Sequence, residues 1–227
     1  MSTIVSYSGG KDSTLALWRA QQLAAAGALP AVTATLTALE ETGQRARSHG
    51  VSRALLQAQA RALGLASHFI EASWTDYEAR FVAQLQALAA QGVTDMVFGD
   101  IDLQPHRDWE EQVCARAGLR AHLPLWLQPR RALVDEFLAA GFKARVVCVD
   151  GRFLDECFVG CEFDAAFLAR LPPNVDACGE NGEFHTFVYD GPNFRHAVPW
   201  VSRGCQTTML PPEFGSQPYH FDLLDLA

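Results

Sequence analysis

Apolar residues follow two different spacings along the first two thirds of the chain. Short apolar runs, typical of buried strands, occupy residues 3–7, 31–36, 68–70, 96–98 and 121–125. Between these runs the apolar residues recur at helical spacing. The predicted helices cover residues 12–24, 52–63, 77–91, 109–117 and 133–138. Alternating strands and helices predict an α/β fold, in which a Rossmann-like parallel sheet is covered on both faces and binds ligands beyond the carboxyl ends of its strands.

The pattern changes in the last third of the chain. One more strand is predicted at residues 144–149, but the sequence that follows is richer in Gly, Pro, Asn and aromatic residues, with short strand-like pieces such as 184–189. We expect two domains, an α/β domain at residues 1–128 and a smaller C-terminal α+β part at 129–227. Because no low-complexity linker separates them, we expect the two parts to pack tightly.

Composition and charge exclude several classes of function. The chain has 227 residues and 49% hydrophobic content, enough for a buried core, and its net charge of −8 disfavours extended nucleic-acid or anionic-lipid binding. The uncharged stretch 20–39 is interrupted by Gln, Gly, Pro and Thr, so no membrane span is expected. No basic residue precedes Lys11 and no apolar run precedes a small-residue cleavage site, so we expect no secretory signal and a cytoplasmic location. The six cysteines contain no CxxC pair, and we interpret them as reduced and incidental.

The hexapeptide SGGKDS at residues 8–13 stands between the first predicted strand and the first helix. Glycines let the backbone approach an anion, the helix N-terminus supplies free N–H groups, and Lys11 adds a cation beside two serine hydroxyls. These features predict a pyrophosphate cradle; the alternative is an ordinary Gly-rich turn with an Asp cap. The Walker A spacing is absent, so transfer of a γ-phosphoryl group is not implied.

A second dense cluster, CGENGEFHTF at 178–187, precedes Asp190-Gly191-Pro192. Two carboxylates, an amide and an imidazole lie within six positions of one another on a glycine-bearing loop. Such groups could position an amine, orient a carboxylate substrate or hold a metal, whereas a purely structural turn is the alternative.

Weaker signals surround these two clusters. Asp100 follows the fourth predicted strand and would lie at the ligand edge, where it could contact magnesium or a ribose, or cap a helix. Arg107 and Glu111 open the next helix. Residues 45–49 contribute two arginines and a histidine near the expected phosphates, although a solvated loop explains them equally well.

The SGGKDS motif resembles the PP-loop signature of the ATP pyrophosphatases, the HUP-type adenine nucleotide α-hydrolase-like superfamily. Over nearly the whole chain the sequence resembles the diphthine-ammonia ligase family, in the form of a prokaryotic-type homologue. The segments that carry this resemblance are SGGKDS, the 178–187 cluster, Gly99-Asp100-Ile101, the 107–111 segment, Pro124-Leu125-Trp126 and Gly141 to Ala144. Two positions depart from that family's usual pattern: Ala177 replaces a Pro, and Cys161 replaces an Arg.

The resemblance implies an ATP-dependent amide-forming ligase that adenylates a carboxylate and releases pyrophosphate into the PP-loop. Ammonia then attacks the acyl adenylate, which gives the amide and AMP. In eukaryotes and archaea the family is associated with amidation of diphthine on elongation factor 2; bacterial translation factors lack diphthamide, so a bacterial enzyme would need another acceptor. The implied cofactors are ATP and Mg²⁺, and the partners are ammonia and a carboxylate-bearing acceptor, either a protein side chain or a small molecule. A homodimer is compatible with these expectations.

The resemblance also implies roles for individual residues. The catalytic candidates are Lys11, Glu180, Glu183 and His185; the ATP-binding candidates are Ser8, Gly9, Gly10, Lys11, Asp12, Ser13 and Asp100; the acceptor-binding candidates are Asn181, Gly182, Arg107 and Glu111; and the magnesium candidates are Asp12 and Asp100. Two alternatives stay open: another PP-loop chemistry, such as tRNA modification, and an ATP-binding sensor without turnover.

Overall fold

Five parallel strands form the first sheet of the computed structural model, which describes residues 1–47, 49–209 and 217–227. In chain order, the strands of this sheet and the helices between them are β1 (Ser2–Ser6), α1 (Lys11–Ala25), β2 (Val32–Leu39), α2 (Arg53–Ala62), β3 (Ala66–Glu71), α3 (Tyr77–Ala89), β4 (Val93–Val97), α4 (Gln104–Ala117) and β5 (Arg120–His122). The strand order is β3-β2-β1-β4-β5, and Ile4 in the central strand pairs with Ala34 on one side and Met96 on the other.

This strand order fixes where a ligand can bind. The chain moves outward from β1 to β3, then crosses to the other side of β1 to build β4 and β5, so the loops after β1 and β4 leave the sheet side by side. Such a switch point opens a crevice at the carboxyl ends of the two strands. The loop after β4 lies against the first turn of α1, because a Cβ on Gly99 would lie 2.9 Å from the backbone nitrogen of Ser13.

Helices cover both faces of the parallel sheet. On one face Phe81 and Leu85 of α3 and Val113 of α4 pack against Ile4 and Met96. Phe81 is 2% exposed, and burial of a side chain of this size contributes about 2–3 kcal/mol. The aromatic residues at 77, 81 and 109 belong to this layer and pack against one another.

The second sheet is antiparallel, with strand order β7-β6-β9-β8. The C-terminal part that contains this sheet consists of α5 (Arg130–Ala139), β6 (Lys143–Asp150), α6 (Ala165–Arg170), β7 (Phe184–Asp190), β8 (Trp200–Met209) and β9 (Pro218–Leu226), with a 3₁₀ turn at Glu156–Phe158. The inner strand β6 reads as a continuous apolar run because Val146, Val147, Cys148 and Val149 are all buried. Hydrophobic side chains on both faces of a strand favour a central position in a sheet.

The two sheets share one hydrophobic core. Leu15 and Leu17 of α1 belong to the same buried cluster as Phe137 of α5, Val146 of β6 and Phe184 of β7. The predicted fold class is confirmed: a Rossmann-like parallel α/β sheet carries a smaller C-terminal α+β part. The domain boundary near residue 128 stays a prediction.

One predicted strand is shorter than expected. The fifth strand was predicted at 121–125 but covers only Arg120–His122. Pro124 lacks a backbone N–H and cannot extend the ladder, and the chain turns instead, with the Trp126 N–H donating to the Leu123 carbonyl at 3.1 Å. In the described ranges we find no helix whose length and apolar character would let it cross a bilayer.

Candidate active site

The loop after β1 presents the N-terminus of α1 to the switch-point crevice. Gly10 occupies the cap position in extended backbone with no side-chain cap bond, and Asp12 lies inside the first turn. Asp12 is therefore not a helix cap. Gly9 has a φ of +84°, a conformation that favours glycine. The hydroxyl oxygens of Ser8 and Ser13 lie 3.1 Å apart across the turn.

The second sheet holds this loop in place. The Val188 N–H of β7 donates to the Gly9 carbonyl at 2.9 Å, and the Lys11 N–H donates to Thr186 Oγ1 at 3.0 Å. The Gln59 amide of α2 donates to the same Gly9 carbonyl at 3.0 Å. A Cβ on Gly10 would lie 2.7 Å from Nε2 of His49, so a side chain there would require the His49 ring to shift.

Lys11 is the buried cation of the site. Its Nζ lies 2.6 Å from Asp12 Oδ2 and 3.9 Å from Glu180 Oε1. Burial opposes its charge, but the negative charges led by Asp12 outweigh that cost and raise the pKa of Lys11. The ammonium group is thus held charged and out of water, where it can stabilise a developing negative charge strongly.

Glu180 has the electrostatic setting of a proton-transfer group. Burial, followed by the charge of Asp12, raises the pKa of Glu180 to about 7. A carboxyl group with this pKa exchanges protons readily at neutral pH. An apolar wall from α5, including Leu133 and Phe137, borders Lys11 and Asp12 and keeps the surroundings of low polarity.

Asp12, Cys178 and Glu180 each bring a potential ligand atom within 4.8 Å of the others. Carboxylate oxygens suit Mg²⁺, which proteins usually hold through one or two carboxylates plus substrate phosphates, whereas a thiol does not. The residues therefore fit a magnesium ion at Asp12. The other predicted ligand, Asp100, has its Oδ1 2.7 Å from Nδ1 of His106.

Glu183 lies inside the loop that precedes β7. It is fully buried, and its carboxylate accepts hydrogen bonds from the backbone N–H groups of Asp176 and Asn181 and from the Asn181 side chain, at 2.9 to 3.0 Å. The carboxylate thus holds together the 176–183 loop, in which Gly182 adopts a φ of +83° and Asn181 stays exposed. The catalytic role of Glu183 stays a prediction.

Two neutral imidazoles lie behind the PP-loop. The rings of His49 and His185 are 4.5 Å apart. Burial, with the charge of Lys11 adding to it, lowers the pKa of His185 to about 4; burial and the neighbouring His185 lower the pKa of His49 as well. Both rings are therefore neutral at pH 7 and add no positive charge to the site.

Arg45 and Arg47, which the sequence placed near the expected phosphates, contact other parts of the protein. Arg45 donates to the Gly50 carbonyl at 2.7 Å, and the Arg47 guanidinium stacks on Trp74 at 4.3 Å. Of residues 45–47 and 49, which the structure describes, only His49 lies against the PP-loop.

Arg107 and Glu111 lie one helical turn apart on α4 and pair with each other at 2.7 Å. The Arg107 guanidinium also stacks on Trp126, 5.0 Å from the ring centre. These contacts join α4 to the loop after β5, and both side chains are exposed. A role in binding the acceptor would place it at the rim of the crevice, and that role stays a prediction.

Arg130 was missed by the sequence reasoning. Its guanidinium donates to both oxygens of Asp102, at 2.7 and 2.8 Å, and to Asp176 at 2.6 Å. Asp176 in turn accepts the backbone N–H groups of Cys178 and Glu180 at 3.0 and 3.4 Å. Arg130 therefore ties the loop after β4 to the loop that carries Glu180. A signal existed, because a basic residue in the first turn of a helix opposes the helix dipole and needs another reason to be there.

Fold and site together define a PP-loop-type nucleotide-binding α/β protein, and comparison with known proteins gives its family. Residues 1–121 match the diphthamide synthase N-terminal domain, and residues 129–204 match the diphthamide synthase C-terminal domain. The chain belongs to the diphthamide synthase family. The resemblance drawn from its motifs is confirmed.

Among individual proteins, the chain is similar to the diphthine–ammonia ligases of Bos taurus and Homo sapiens, each 30% identical over 93 residues. The ligase of Danio rerio is 30% identical over 96 residues. Each match covers 39% of this chain and 35 to 36% of the relative, so the chain spans about a third of the length of the curated relatives it matches.

One solved structure, of a predicted subunit of tRNA methyltransferase from Methanocaldococcus jannaschii, aligns with 65% of this chain and 80% of its own, at a TM-score of 0.41 and 19% identity. At that level of likeness the fold assignment depends on this chain's own strand order.

Proposed function

We propose that this protein is an ATP-dependent amide-forming ligase, which activates a carboxylate as an acyl adenylate and transfers the acyl group to ammonia. The observation that carries the proposal is the buried Lys11 ammonium at the start of α1, held between Asp12 and Glu180 at the switch point of the sheet. The Lys11 cation, the N-terminus of α1 and the backbone of Gly9 and Gly10 lie together, as the binding of a triphosphate requires.

In the first step a carboxylate oxygen of the acceptor attacks the α-phosphorus of ATP, and the bond from that phosphorus to the bridging oxygen breaks. Pyrophosphate leaves toward the 8–13 loop, where Lys11 and the N–H groups of α1 neutralise its charge. Mg²⁺, held by Asp12 and the phosphates, would supply further charge neutralisation.

In the second step the ammonia nitrogen attacks the acyl carbon, and AMP leaves with its electron pair. The attacking nitrogen becomes positively charged and must lose one proton to become the amide. Glu180, with its pKa raised to about 7, is suited to accept that proton. The neutral pair His49 and His185 supports the loop from behind without adding positive charge.

The test uses ATP labelled at the α-phosphate, with ammonium chloride and a set of candidate carboxylates, followed by chromatographic separation of AMP from ADP. AMP and pyrophosphate that appear only with an acceptor support the ligase. ADP would exclude this mechanism, and tight ATP binding without products would favour a sensor. Lys11→Met should lose ATP binding by about tenfold or more, as expected for a desolvated cation that contacts phosphate. Lys143→Met removes an exposed lysine 3.8 Å from Asp190 and is the matched control.

A further inference from the structure

The cysteines outside the candidate active site are not equivalent. Cys114 and Cys148 are buried, whereas Cys157 and Cys205 are exposed and Cys161 is half-buried. Accessibility to solvent is the first requirement for a thiol that reacts with small molecules.

Cys157 and Cys161 contact the same guanidinium. Arg170 donates from Nη1 to Cys161 Sγ at 3.5 Å and from Nη2 to Cys157 Sγ at 3.9 Å. The guanidinium is itself fixed against Phe158, 4.8 Å from the ring centre. Two sulfur atoms thus lie along one edge of a positioned cation.

The backbone between these two cysteines folds back on itself. Gly160 adopts a φ of +77°, and Cys161 Sγ lies 3.4 Å from the carbonyl oxygen of Cys157. The turn is held on β6, because the Gly160 N–H donates to the Val146 carbonyl at 2.8 Å and the Val146 N–H donates to the Cys161 carbonyl at 2.9 Å. The two thiols therefore share one guanidinium on a hydrogen-bonded turn rather than on a free loop.

The other four thiols are less suited to exchange chemistry, which proceeds through the thiolate. Burial raises the pKa of Cys114 and Cys148 to about 12, and it also raises the pKa of Cys178. The exposed Cys205 has a raised pKa through partial burial and the nearby carboxylates of Glu156 and Asp222.

We propose that Cys157 and Cys161 form a redox-active thiol pair, which small-molecule disulfides such as oxidised glutathione convert into an intramolecular disulfide. One protein thiolate attacks the glutathione disulfide and releases one glutathione thiolate, leaving a mixed disulfide. The second protein thiolate then attacks the protein sulfur of that mixed disulfide and displaces the second glutathione. The protein loses two protons and two electrons, and oxidised glutathione gains them as two molecules of the thiol. Arg170 contacts both sulfur atoms and holds them along one edge of its guanidinium.

The test is incubation of the full chain with oxidised glutathione, alkylation of the remaining thiols, tryptic digestion and mass spectrometry. Both cysteines fall in the peptide 153–170, which has no internal Lys or Arg. We expect this peptide to lose two hydrogen masses and to escape alkylation, whereas the peptides with Cys114, Cys148 and Cys178 are alkylated after unfolding. A peptide 153–170 that is alkylated at both cysteines, or that carries two glutathione adducts, would overturn the proposal.

Two variants sharpen this test. Cys161→Ser should leave a stable glutathione adduct on Cys157, because the resolving thiol is gone. Arg170→Met should slow disulfide formation by about tenfold, while Arg131→Met, which removes an exposed arginine paired only with Asp135 among its described contacts, should leave the rate unchanged. Equal rates of disulfide formation in the two arginine variants would show that Arg170 has no part in the reaction. A Cys161→Ser protein without a glutathione adduct would overturn the exchange step.

Discussion

The raised pKa of Glu180 makes a prediction about stability that needs no substrate. The folded protein raises this pKa from its ordinary 4.5 to about 7, through burial first and then the charge of Asp12. Between these two pH values the folded state binds more protons than the unfolded chain. The contribution of Glu180 to stability therefore falls as the pH rises through that window.

Glu180→Gln removes this loss, because the amide does not ionise. One pKa unit corresponds to about 1.4 kcal/mol, and the linkage relation gives about 2.5 kcal/mol as the change in the variant's relative stability between pH 5 and pH 8. We expect Glu180→Gln to gain stability over the unmodified protein as the pH rises. For a chain of this size that gain corresponds to a relative increase in the melting temperature of roughly 5 to 10 °C.

Urea unfolding followed by circular dichroism at pH 5, 6, 7 and 8 measures the effect. Glu183→Gln is the control, because that carboxylate accepts three hydrogen bonds and the amide places an NH₂ group against N–H donors; it should lose about 1–3 kcal/mol at pH 8. A Glu180→Gln protein whose relative stability is flat from pH 5 to pH 8 would refute the electrostatic account of this site.

Three further changes probe the contacts that hold the site. Gly10→Ala adds a Cβ 2.7 Å from His49 Nε2 and should weaken ATP binding measured by calorimetry; the double variant with His49→Ala should restore part of it, and no recovery would place the clash elsewhere. Arg130→Met removes a positive charge that lowers the pKa of Glu180, so the acidic limb of the turnover profile should move to higher pH, whereas Arg131→Met should leave the profile in place. Lys11→Met should lower thermal stability less at high salt than at low salt, because unpaired Asp12 and Glu180 then repel each other, and identical losses at both salt concentrations would argue against that repulsion.

Much of the fold could be predicted from the sequence because strands such as β1, β4 and β6 are buried on both faces and read as apolar runs, and helices such as α3 carry one apolar stripe. The stripe of Tyr77, Phe81 and Leu85 predicts α3, which begins at Tyr77. The end of β5 could not be placed by hydrophobicity alone, because Leu123 and Leu125 continue the apolar run beyond the last ladder bond, while the turn at Pro124 ends the strand.

The candidate site could be predicted where its residues are close in sequence. The PP-loop is one hexapeptide, and its strand-to-helix setting is visible in the hydrophobic pattern. Contacts between distant segments could not be predicted: Arg130 reaches Asp102 and Asp176, which are 28 and 46 positions away. The enclosed position of Glu183 could not be predicted either, because a motif shows which groups are near each other but not whether a side chain points into its own loop.

The proposed adenylation can be tested most directly by the fate of one oxygen atom. The carboxylate that accelerates AMP release would be labelled with oxygen-18 and incubated with the protein, ATP and ammonia, and the phosphate-containing products would be analysed by mass spectrometry. Attack of the carboxylate on the α-phosphorus predicts one oxygen-18 atom in the phosphate of AMP and none in pyrophosphate. AMP free of label, as attack by water would give, or ADP as the nucleotide product, would contradict the account.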